Sequence, residues 1–371
     1  MSAEQSIQFP HVNGTAPSSF SSSVSTAQPY QRCLVMAGGG FRFGYYLGIY
    51  AACQERGKKP DVILASCGAA IAGTIIHHLP DNATRLAWLT SPEMHHFWRG
   101  LQANPQKSLL KAIGGVARRA LLANDVKRIP DLFNDYLFDI PAVLPLPERM
   151  EDTDAPDLAI VAGRLLFSPS EVGQLRAGRK LYEETIFSGQ RVAGLLNGMK
   201  SPIGSRHYGH SAVSEALAVD TQTPVADAVR ASIADMFYFQ CHPIGSHYYM
   251  GGVLDLFPIE IARKLGREVI MERKGGYNRF IDVPAIRLVL GIDGNRRLQH
   301  VLTQSADYWI DTADMETALV KHQISKQLFW LRNRLSLKVP ERHEDFVEMI
   351  HLQWRYGYQK AIAAFDAGKM R

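Results

Sequence analysis

The residue of this 371-residue chain that is best placed to act as a nucleophile is Cys67. It stands in the sequence ASCGA, after a short apolar run at 62–64 and before a helix of small residues. This strand–turn–helix order builds a nucleophile elbow, in which the reactive side chain sits on a tight turn and the helix N-terminus points at it. A thiol on such a turn performs acyl transfer. Against the pattern G-x-S-x-G, Ala65 and Ala69 replace both glycines, and Ser66 lies one residue before the apex.

A glycine-rich loop precedes the elbow by one helix and one strand. The apolar run at 33–36 is followed by Gly38, Gly39 and Gly40. This pattern predicts a buried strand whose backbone then approaches another group closely. The helix after the loop ends near Gly57. Two strands, each followed by a loop and a helix, therefore position the candidate nucleophile.

The chain resembles the patatin-like phospholipase family from about residue 32 to residue 271, in the order and spacing of its motifs. The segment 38–42 matches the family's G-G-G-x-R loop, and the elbow follows at 65–69. AVRASIADMF resembles the family's A-S-x-A-P segment, with Asp235 where proline is usual, and YMGGVLDLFP resembles D-G-G-x-x-x-N-x-P. The resemblance implies an α/β three-layer sandwich with a mostly parallel central sheet. An acyl-carrier-protein transacylase shares the elbow but lacks the early glycine loop, and is the weaker hypothesis.

The catalytic dyad of the family is altered in this sequence. Patatin-like enzymes use a serine and an aspartate. Here Cys67 occupies the serine position and Met250 occupies the aspartate position, whereas Gly251 and Gly252 are retained and Gly68 follows the apex. The scaffold of the family is therefore expected without its usual pair of reactive side chains.

The resemblance also implies an oxyanion hole beside the elbow. Backbone N–H groups near Gly39 and Gly40 would form it, and each preorganised donor of this kind contributes about 10²–10³ in rate. Arg42 matches the arginine that braces the loop in the family. Phe43 stands where the loop usually has glycine, and Leu256 stands where the distal segment usually has asparagine.

The acidity of Cys67 determines how it would react. A free thiol has a pKa of about 8.5, and a helix N-terminus lowers it, so Cys67 could act without a partner. Asp255, His242 and His247 are the candidate bases, because they flank the Gly-Gly pair in sequence. Attack by Cys67 would give a thioester. Without a base to activate water, transfer to a better nucleophile is favoured over hydrolysis.

Composition and charge limit the cellular compartments and the kinds of partner that the sequence is compatible with. Hydrophobic residues make up 46% and charged residues 21%, which is typical of globular proteins. The net charge of +5 would favour an anionic surface such as phospholipid head groups, but it is too small to indicate nucleic-acid binding. The four cysteines show no metal-ligand spacing, and we expect reduced thiols, no cofactor and no metal. No apolar run of about 18 residues and no Sec signal are present, which predicts a cytoplasmic protein, either free or peripheral to a membrane.

The sequence predicts three regions. Residues 1–30 are expected to be a flexible Ser-rich tail. Residues 31–290 would form the patatin-like domain, with an insertion at about 164–225, and 291–371 would form a helical C-terminal extension packed on it. Within the domain, 108–122 has apolar and cationic residues at helical spacing, so it is expected to be an ordinary surface helix, a lid over a lipid pocket or a helix lying on acyl chains.

Two functions follow from these observations. The first is a lipid acyl hydrolase or acyltransferase that acts on an ester or thioester through Cys67. The second is a catalytically inactive patatin-like protein that binds lipid or a protein partner. The enzyme requires Cys67 in an open cleft, at a helix N-terminus and near the N–H groups of Gly39 or Gly40.

Overall fold

The computed structural model describes residues 28–104, 126–141, 143–150, 154–204, 206–329 and 334–369. The helix predicted at 108–122 and nearly all of the predicted tail lie outside the described residues. The strands are β1 Tyr30–Met36, β2 Val62–Ser66, β3 Gln102–Ala103, β4 Phe138–Asp139, β5 Asp157–Leu165, β6 Tyr182–Ser188, β7 Val213–Asp220, β8 His242–Ile244, β9 His247–Met250, β10 Gly266–Arg273, β11 Tyr308–Asp311, β12 Ser325–Phe329 and β13 Arg334–Lys338.

The helices alternate with the strands through most of the chain. They are α1 Gly44–Glu55, α2 Ala69–His78, α3 Asn82–Leu89, α4 Pro92–Gly100, α5 Gln190–Leu196, α6 Val225–Ser232, α7 Ile259–Leu265, α8 Asp282–Leu290, α9 Gly294–Leu302, α10 Met315–Ala318 and α11 His343–Asp366, with 3₁₀ turns at Pro169–Glu171 and Gly252–Asp255. In these described ranges, no helix is both long enough and apolar enough to cross a bilayer.

The central sheet has the strand order β11-β10-β1-β2-β5-β6-β7. The strands from β11 to β5 run parallel, β6 is antiparallel to β5, and β7 is parallel to β6. Strand β9 lies antiparallel beside the last residues of β5. Since β1, β2 and β10 are parallel, their carboxyl ends meet at one edge of the sheet, which we call the carboxyl edge. The predicted, mostly parallel sheet is confirmed.

Alternate residues of the central strands pack into two separate cores. In β1, Leu34 and Met36 join a core with α1, α2, α6 and α11, while Cys33 and Val35 join a core with α5, α7 and α9. A strand that is covered on both faces is apolar throughout, which explains the continuous apolar runs of β1 and β2. The predicted three-layer sandwich is therefore confirmed. All four cysteines are unpaired, as expected.

Helix α11 holds α1, and with it the glycine loop that leads into α1. A Cβ built on Gly48 would lie 2.0 Å from the Trp354 carbonyl oxygen, so the two helix backbones are in direct contact. The N–H of Gly44 donates to Gln353 Oε1 at 2.9 Å. The C-terminal region thus fixes the helix that follows the glycine loop.

Two predicted segments differ from the observed structure. The prediction that the extension over 291–371 is helical is wrong in part, because β11 joins the sheet beside β10, and β12 and β13 form a hairpin. Tyr308 and Ile310 are buried while Asp311 is exposed, which is the alternation of a strand. The segment at about 164–225, which was predicted to be an insertion, supplies β6 and β7 to the central sheet.

Candidate active site

Cys67 lies on a strained turn between β2 and α2. Its φ of +56° falls in the left-handed region, which is uncommon for a residue with a side chain. Such backbone strain costs of the order of 1–3 kcal/mol and persists only where the surrounding structure imposes it. Strand β2 ends at Ser66 and helix α2 begins at Ala69, so the observed turn has the geometry of a nucleophile elbow.

Two buried serines hold this turn. Ser232, the last residue of α6, accepts a hydrogen bond from the N–H of Cys67 at 3.0 Å and donates to the Val161 carbonyl at 2.7 Å. The hydroxyl of Ser66 donates to the Asp255 carbonyl at 3.0 Å. The turn is therefore tied to β5, α6 and the 3₁₀ turn after β9, which gives the strain its structural support.

A carboxylate contacts the thiol directly. Cys67 Sγ lies 2.7 Å from Oδ1 and 2.5 Å from Oδ2 of Asp235, three residues beyond α6. Burial raises the pKa of Asp235 to about 7, although the hydrogen bonds from Cys67 and from the N–H of Val253 oppose this shift. Burial, the charge of Asp235 and its hydrogen bond together raise the pKa of the Cys67 thiol well above its usual range.

The directions of these pKa shifts favour a hydrogen-bonded thiol at Cys67 over the thiolate that the sequence predicted. The N–H groups of Gly68 and Val253 favour the thiolate, but burial and Asp235 outweigh them. The expectation that the N-terminus of α2 alone lowers the pKa of Cys67 is thus contradicted. The raised pKa of Cys67 favours its protonated form, with the Asp235 carboxylate as the acceptor of its hydrogen bond.

The position that holds the aspartate in other family members lies at the end of β9. Met250 pairs with Gly163 of β5, and its side chain is buried there. The next residue, Gly251, leaves room for the Asp235 carboxylate, because a Cβ built on Gly251 would lie 2.1 Å from Asp235 Oδ1. The N–H of Gly251 donates to the Ala234 carbonyl at 2.7 Å. The Asp235 carboxylate therefore reaches the elbow from a chain segment that packs against the segment around position 250, where other family members carry their aspartate.

The three bases predicted from the sequence have other positions. Asp255 is buried against Arg297, with an N–O distance of 2.9 Å. His242 Nε2 lies 3.3 Å from Asp227 Oδ1, and His247 is exposed at the start of β9. In the described part of the chain, none of these side chains is hydrogen-bonded to Cys67. Asp235, whose carboxylate does contact Cys67, was not among the predicted candidates, although its replacement of the usual proline was the available signal.

The glycine loop lies against the elbow. A Cβ built on Gly38 would be 3.4 Å from Cys67 Sγ, and one built on Gly68 would be 2.7 Å from the Gly40 carbonyl oxygen. Arg42 Nη1 donates to the Gly39 carbonyl at 3.2 Å, which braces the loop. Among the residues that the structure describes, no acceptor is found for the backbone N–H groups of Gly39 and Gly40.

A buried polar cluster supports the loop from behind. The Tyr45 hydroxyl packs on Gly39, where a built Cβ would lie 2.6 Å from it. Lys274 Nζ lies 2.7 Å from that hydroxyl and 3.3 Å from Glu272 Oε2. The Tyr46 hydroxyl donates to the Ala37 carbonyl. Because these groups satisfy one another, the loop rests on a rigid layer.

Aromatic side chains pack together at the glycine loop, beside the elbow. Phe43 stacks on Trp98 at a ring distance of 4.7 Å, and Phe41 lies 5.6 Å from Trp98 and 6.2 Å from Phe239. Cys67 is only 4% exposed, so the open cleft expected around it is absent and the site is closed. No group of three His, Cys, Asp or Glu side chains in the described ranges is arranged to hold a metal ion.

The family model for patatin-like phospholipase matches residues 34–263, from β1 through most of α7. The chain belongs to the patatin-like phospholipase family. Patatin-like enzymes act on lipid esters, and the mostly parallel α/β sandwich observed here is the fold expected of the family.

A crystal structure of VipD from Legionella pneumophila is similar at 13% sequence identity and a TM-score of 0.37, over 93% of this chain and 68% of that chain. No curated protein matches the sequence.

Proposed function

We propose that this patatin-like protein is a lipid acyl hydrolase or acyltransferase that uses Cys67 as its nucleophile and Asp235 as its general base. The observation that carries the proposal is the contact of 2.5–2.7 Å between Cys67 Sγ and the two carboxylate oxygens of Asp235. A nucleophile and its base within hydrogen-bond reach on a strained turn are the signature of covalent catalysis. The substrate would be an ester or thioester of a lipid-like acyl chain. Since Cys67 is only 4% exposed, this function requires the closed site to open before the substrate enters.

The first half-reaction transfers the acyl chain to sulfur. Cys67 Sγ attacks the carbonyl carbon while its proton moves to Asp235, and the negative charge develops on the carbonyl oxygen. The N–H groups of Gly39 and Gly40 would stabilise that oxygen. When the bond to the leaving group breaks, protonated Asp235 returns the proton to the departing alcohol or thiol, which leaves a thioester on Cys67.

The second half-reaction needs the same carboxylate. Asp235 takes a proton from water or from an acceptor hydroxyl, which attacks the thioester, and Cys67 departs and regains the proton. A base with a pKa of about 7 is half ionised at neutral pH, so it can act as an acid and as a base in turn. Hydrolysis therefore becomes accessible alongside transfer, in contrast to a cysteine that lacks a base.

The proposal is tested by release of fatty acid from mixed micelles of a long-chain phospholipid, compared with a soluble short-chain thioester. The matched variants are Cys67→Ala, Asp235→Asn and Asp227→Asn, the last of which removes a carboxylate that contacts His242. The proposal requires turnover that Cys67→Ala abolishes, that Asp235→Asn reduces strongly and that Asp227→Asn leaves nearly unchanged. Equal turnover in the wild type and Cys67→Ala would overturn it.

The closed site favours a second candidate, a patatin-like protein without turnover that binds lipid or a partner. Its supporting observation is that Cys67 is only 4% exposed. For this function, iodoacetamide should modify the folded protein at Cys67 no faster than at the buried Cys33 or Cys53. Much faster modification of Cys67 than of Cys33 and Cys53 would favour the enzyme, since it would show that the closed site opens.

A further inference from the structure

We infer that the loop at 274–281, between β10 and α8, docks the protein on an anionic phospholipid surface. The loop leaves the carboxyl edge of the sheet, from which the glycine loop and the elbow also leave. Lys274 Nζ lies 2.7 Å from the Tyr45 hydroxyl, which packs on Gly39, so the loop starts beside the glycine loop of the candidate site. We call it the docking loop.

The tip of the docking loop exposes two large apolar side chains in succession. Phe280 is 80% exposed and Ile281 is 51% exposed. Single exposed apolar residues are common, but an adjacent pair at a loop tip beside a candidate active site indicates a surface that meets an apolar phase. An aromatic and a branched aliphatic side chain are suited to the boundary between head groups and acyl chains.

The tip is held in its projecting conformation by its own hydrogen bonds. Asn278 Oδ1 accepts hydrogen bonds from the N–H groups of Phe280, at 2.8 Å, and of Ile281, at 3.1 Å. Asp282 Oδ2 accepts from the N–H of Asn278 at 3.1 Å. Because the loop is ordered before it meets a surface, little conformational entropy is lost on docking.

Exposed arginines lie in the docking loop and at its two flanks. The guanidinium groups of Arg273, Arg279 and Arg296 are exposed, and within the described ranges none of them has a carboxylate partner. Asn295, next to Arg296, binds the docking loop through the N–H and the carbonyl of Tyr277, at 2.8 and 3.1 Å. Guanidinium groups bind phosphate well, and each basic residue near an anionic bilayer strengthens binding.

Acidic groups on the neighbouring elements are largely engaged elsewhere. At the end of β11, Asp314 pairs with Lys360 at 2.8 Å, and Asp311 accepts the N–H of Ala313 at 3.0 Å. The exposed patch therefore combines free positive charge with apolar side chains. That combination matches an anionic bilayer better than an acidic peptide, which would leave Phe280 and Ile281 in water.

Docking at this place would set the candidate active site against the bilayer that holds the substrate. The role of docking in catalysis rests on the proposed function. Binding to vesicles, however, is measured without catalysis. The two can therefore fail separately. Ether-linked phospholipids have no acyl ester, so vesicles made from them report binding alone.

The experiment is co-sedimentation of the full-length protein with ether-lipid vesicles, either pure phosphatidylcholine or equal parts phosphatidylcholine and phosphatidylglycerol. The variants are Phe280→Ser with Ile281→Ser, and Arg279→Gln. The controls are Leu302→Ser, at an apolar residue that is 38% exposed, and Arg263→Gln. Both control residues lie on helices, α9 and α7, that lead to the opposite edge of the sheet, where β11 and β10 begin.

The inference predicts binding to the anionic vesicles, reduced at least about tenfold by the double apolar variant and about fivefold by Arg279→Gln. The two controls should bind as the wild type does. No binding by the wild type would overturn it, as would equal losses in the test and control variants. Self-association that disappears in the double variant while vesicle binding persists would show that the patch joins two copies of the chain, which also overturns it.

Discussion

The thiol of Cys67 and the carboxylate of Asp235 are in direct contact, with Sγ 2.7 and 2.5 Å from the two oxygens. The family normally places its carboxylate fifteen positions later, where this chain has Met250. The two segments are adjacent in space, because the Gly251 N–H binds the Ala234 carbonyl. A carboxylate can thus reach the elbow from either segment, and this chain uses the earlier one.

Removal of the Asp235 charge is expected to slow acylation by about 10²–10⁴-fold, the usual range for loss of a general base. In the wild type, the rate should rise with pH through about 7, because Asp235 accepts a proton only when it is ionised. Asp235→Asn should lack this inflection. The measurement is kcat/KM against pH, and an unchanged profile in Asp235→Asn would exclude the carboxylate as the base.

The raised pKa of Asp235 also predicts a dependence of stability on pH. Since the folded-state pKa of about 7 lies above the ordinary value of 3.8, the folded state binds the proton more tightly than the unfolded state does. The contribution of protonated Asp235 to the free energy of unfolding is fully present below about pH 4 and is lost as the pH rises through 7. At about 1.4 kcal/mol per unit, it amounts to a few kcal/mol at most.

Asp235→Asn should therefore be more stable than the wild type at pH 8, and the advantage should shrink at pH 5. Urea unfolding at the two pH values measures the difference between the two proteins, which removes the contribution of other buried acids such as Glu184 and Glu272. A variant that is less stable than the wild type by the same amount at both values would contradict the raised pKa.

Gly251→Ala should disable the site while preserving the nucleophile. The new Cβ would lie 2.1 Å from Asp235 Oδ1, so the carboxylate must move away from Cys67. A displacement of this size costs about 10²-fold in rate. Gly189→Ala is the matched control, because a Cβ there meets nothing within 4 Å and the residue has an ordinary φ of −76°. Equal activities of the two variants would show that the position of Asp235 is unimportant.

Asp255 is expected to support structure rather than chemistry. Its carboxylate is buried against Arg297, so Arg297→Met leaves an uncompensated charge and should lower the free energy of unfolding by about 3–5 kcal/mol. Asp255→Asn should also lower stability but should keep the inflection of the rate near pH 7. Loss of that inflection in Asp255→Asn, with Asp235→Asn unaffected, would assign the base to Asp255 instead.

The motifs with fixed geometry were predictable from the sequence. The glycine loop, the elbow and the core strands β1 and β2 have local signatures: apolar runs that end in glycines or small residues. The C-terminal strands were missed because YWID and SKQLF are short, and their neighbours have helical spacing. Pairing with β10 decides the structure of β11, and a single sequence does not contain that long-range information.

The base could not be found by proximity in sequence. Asp255, His242 and His247 flank the Gly-Gly pair, yet the chain directs Asp255 to Arg297 and His242 to Asp227. Asp235 lies fifteen residues before Met250, and only the turn after α6 brings it to Cys67. Its burial, which sets its pKa, is a property of the packed fold.

The most direct test is intact-protein mass spectrometry after brief mixing with a long-chain p-nitrophenyl ester. The account predicts an added mass of one acyl group on the wild type, no addition on Cys67→Ala and addition at least about 10²-fold slower on Asp235→Asn. Acylation of Cys67→Ala at the wild-type rate, or no acylation of the wild type, would contradict Cys67 as the nucleophile. Equal rates for the wild type and Asp235→Asn would contradict the Cys67–Asp235 pair.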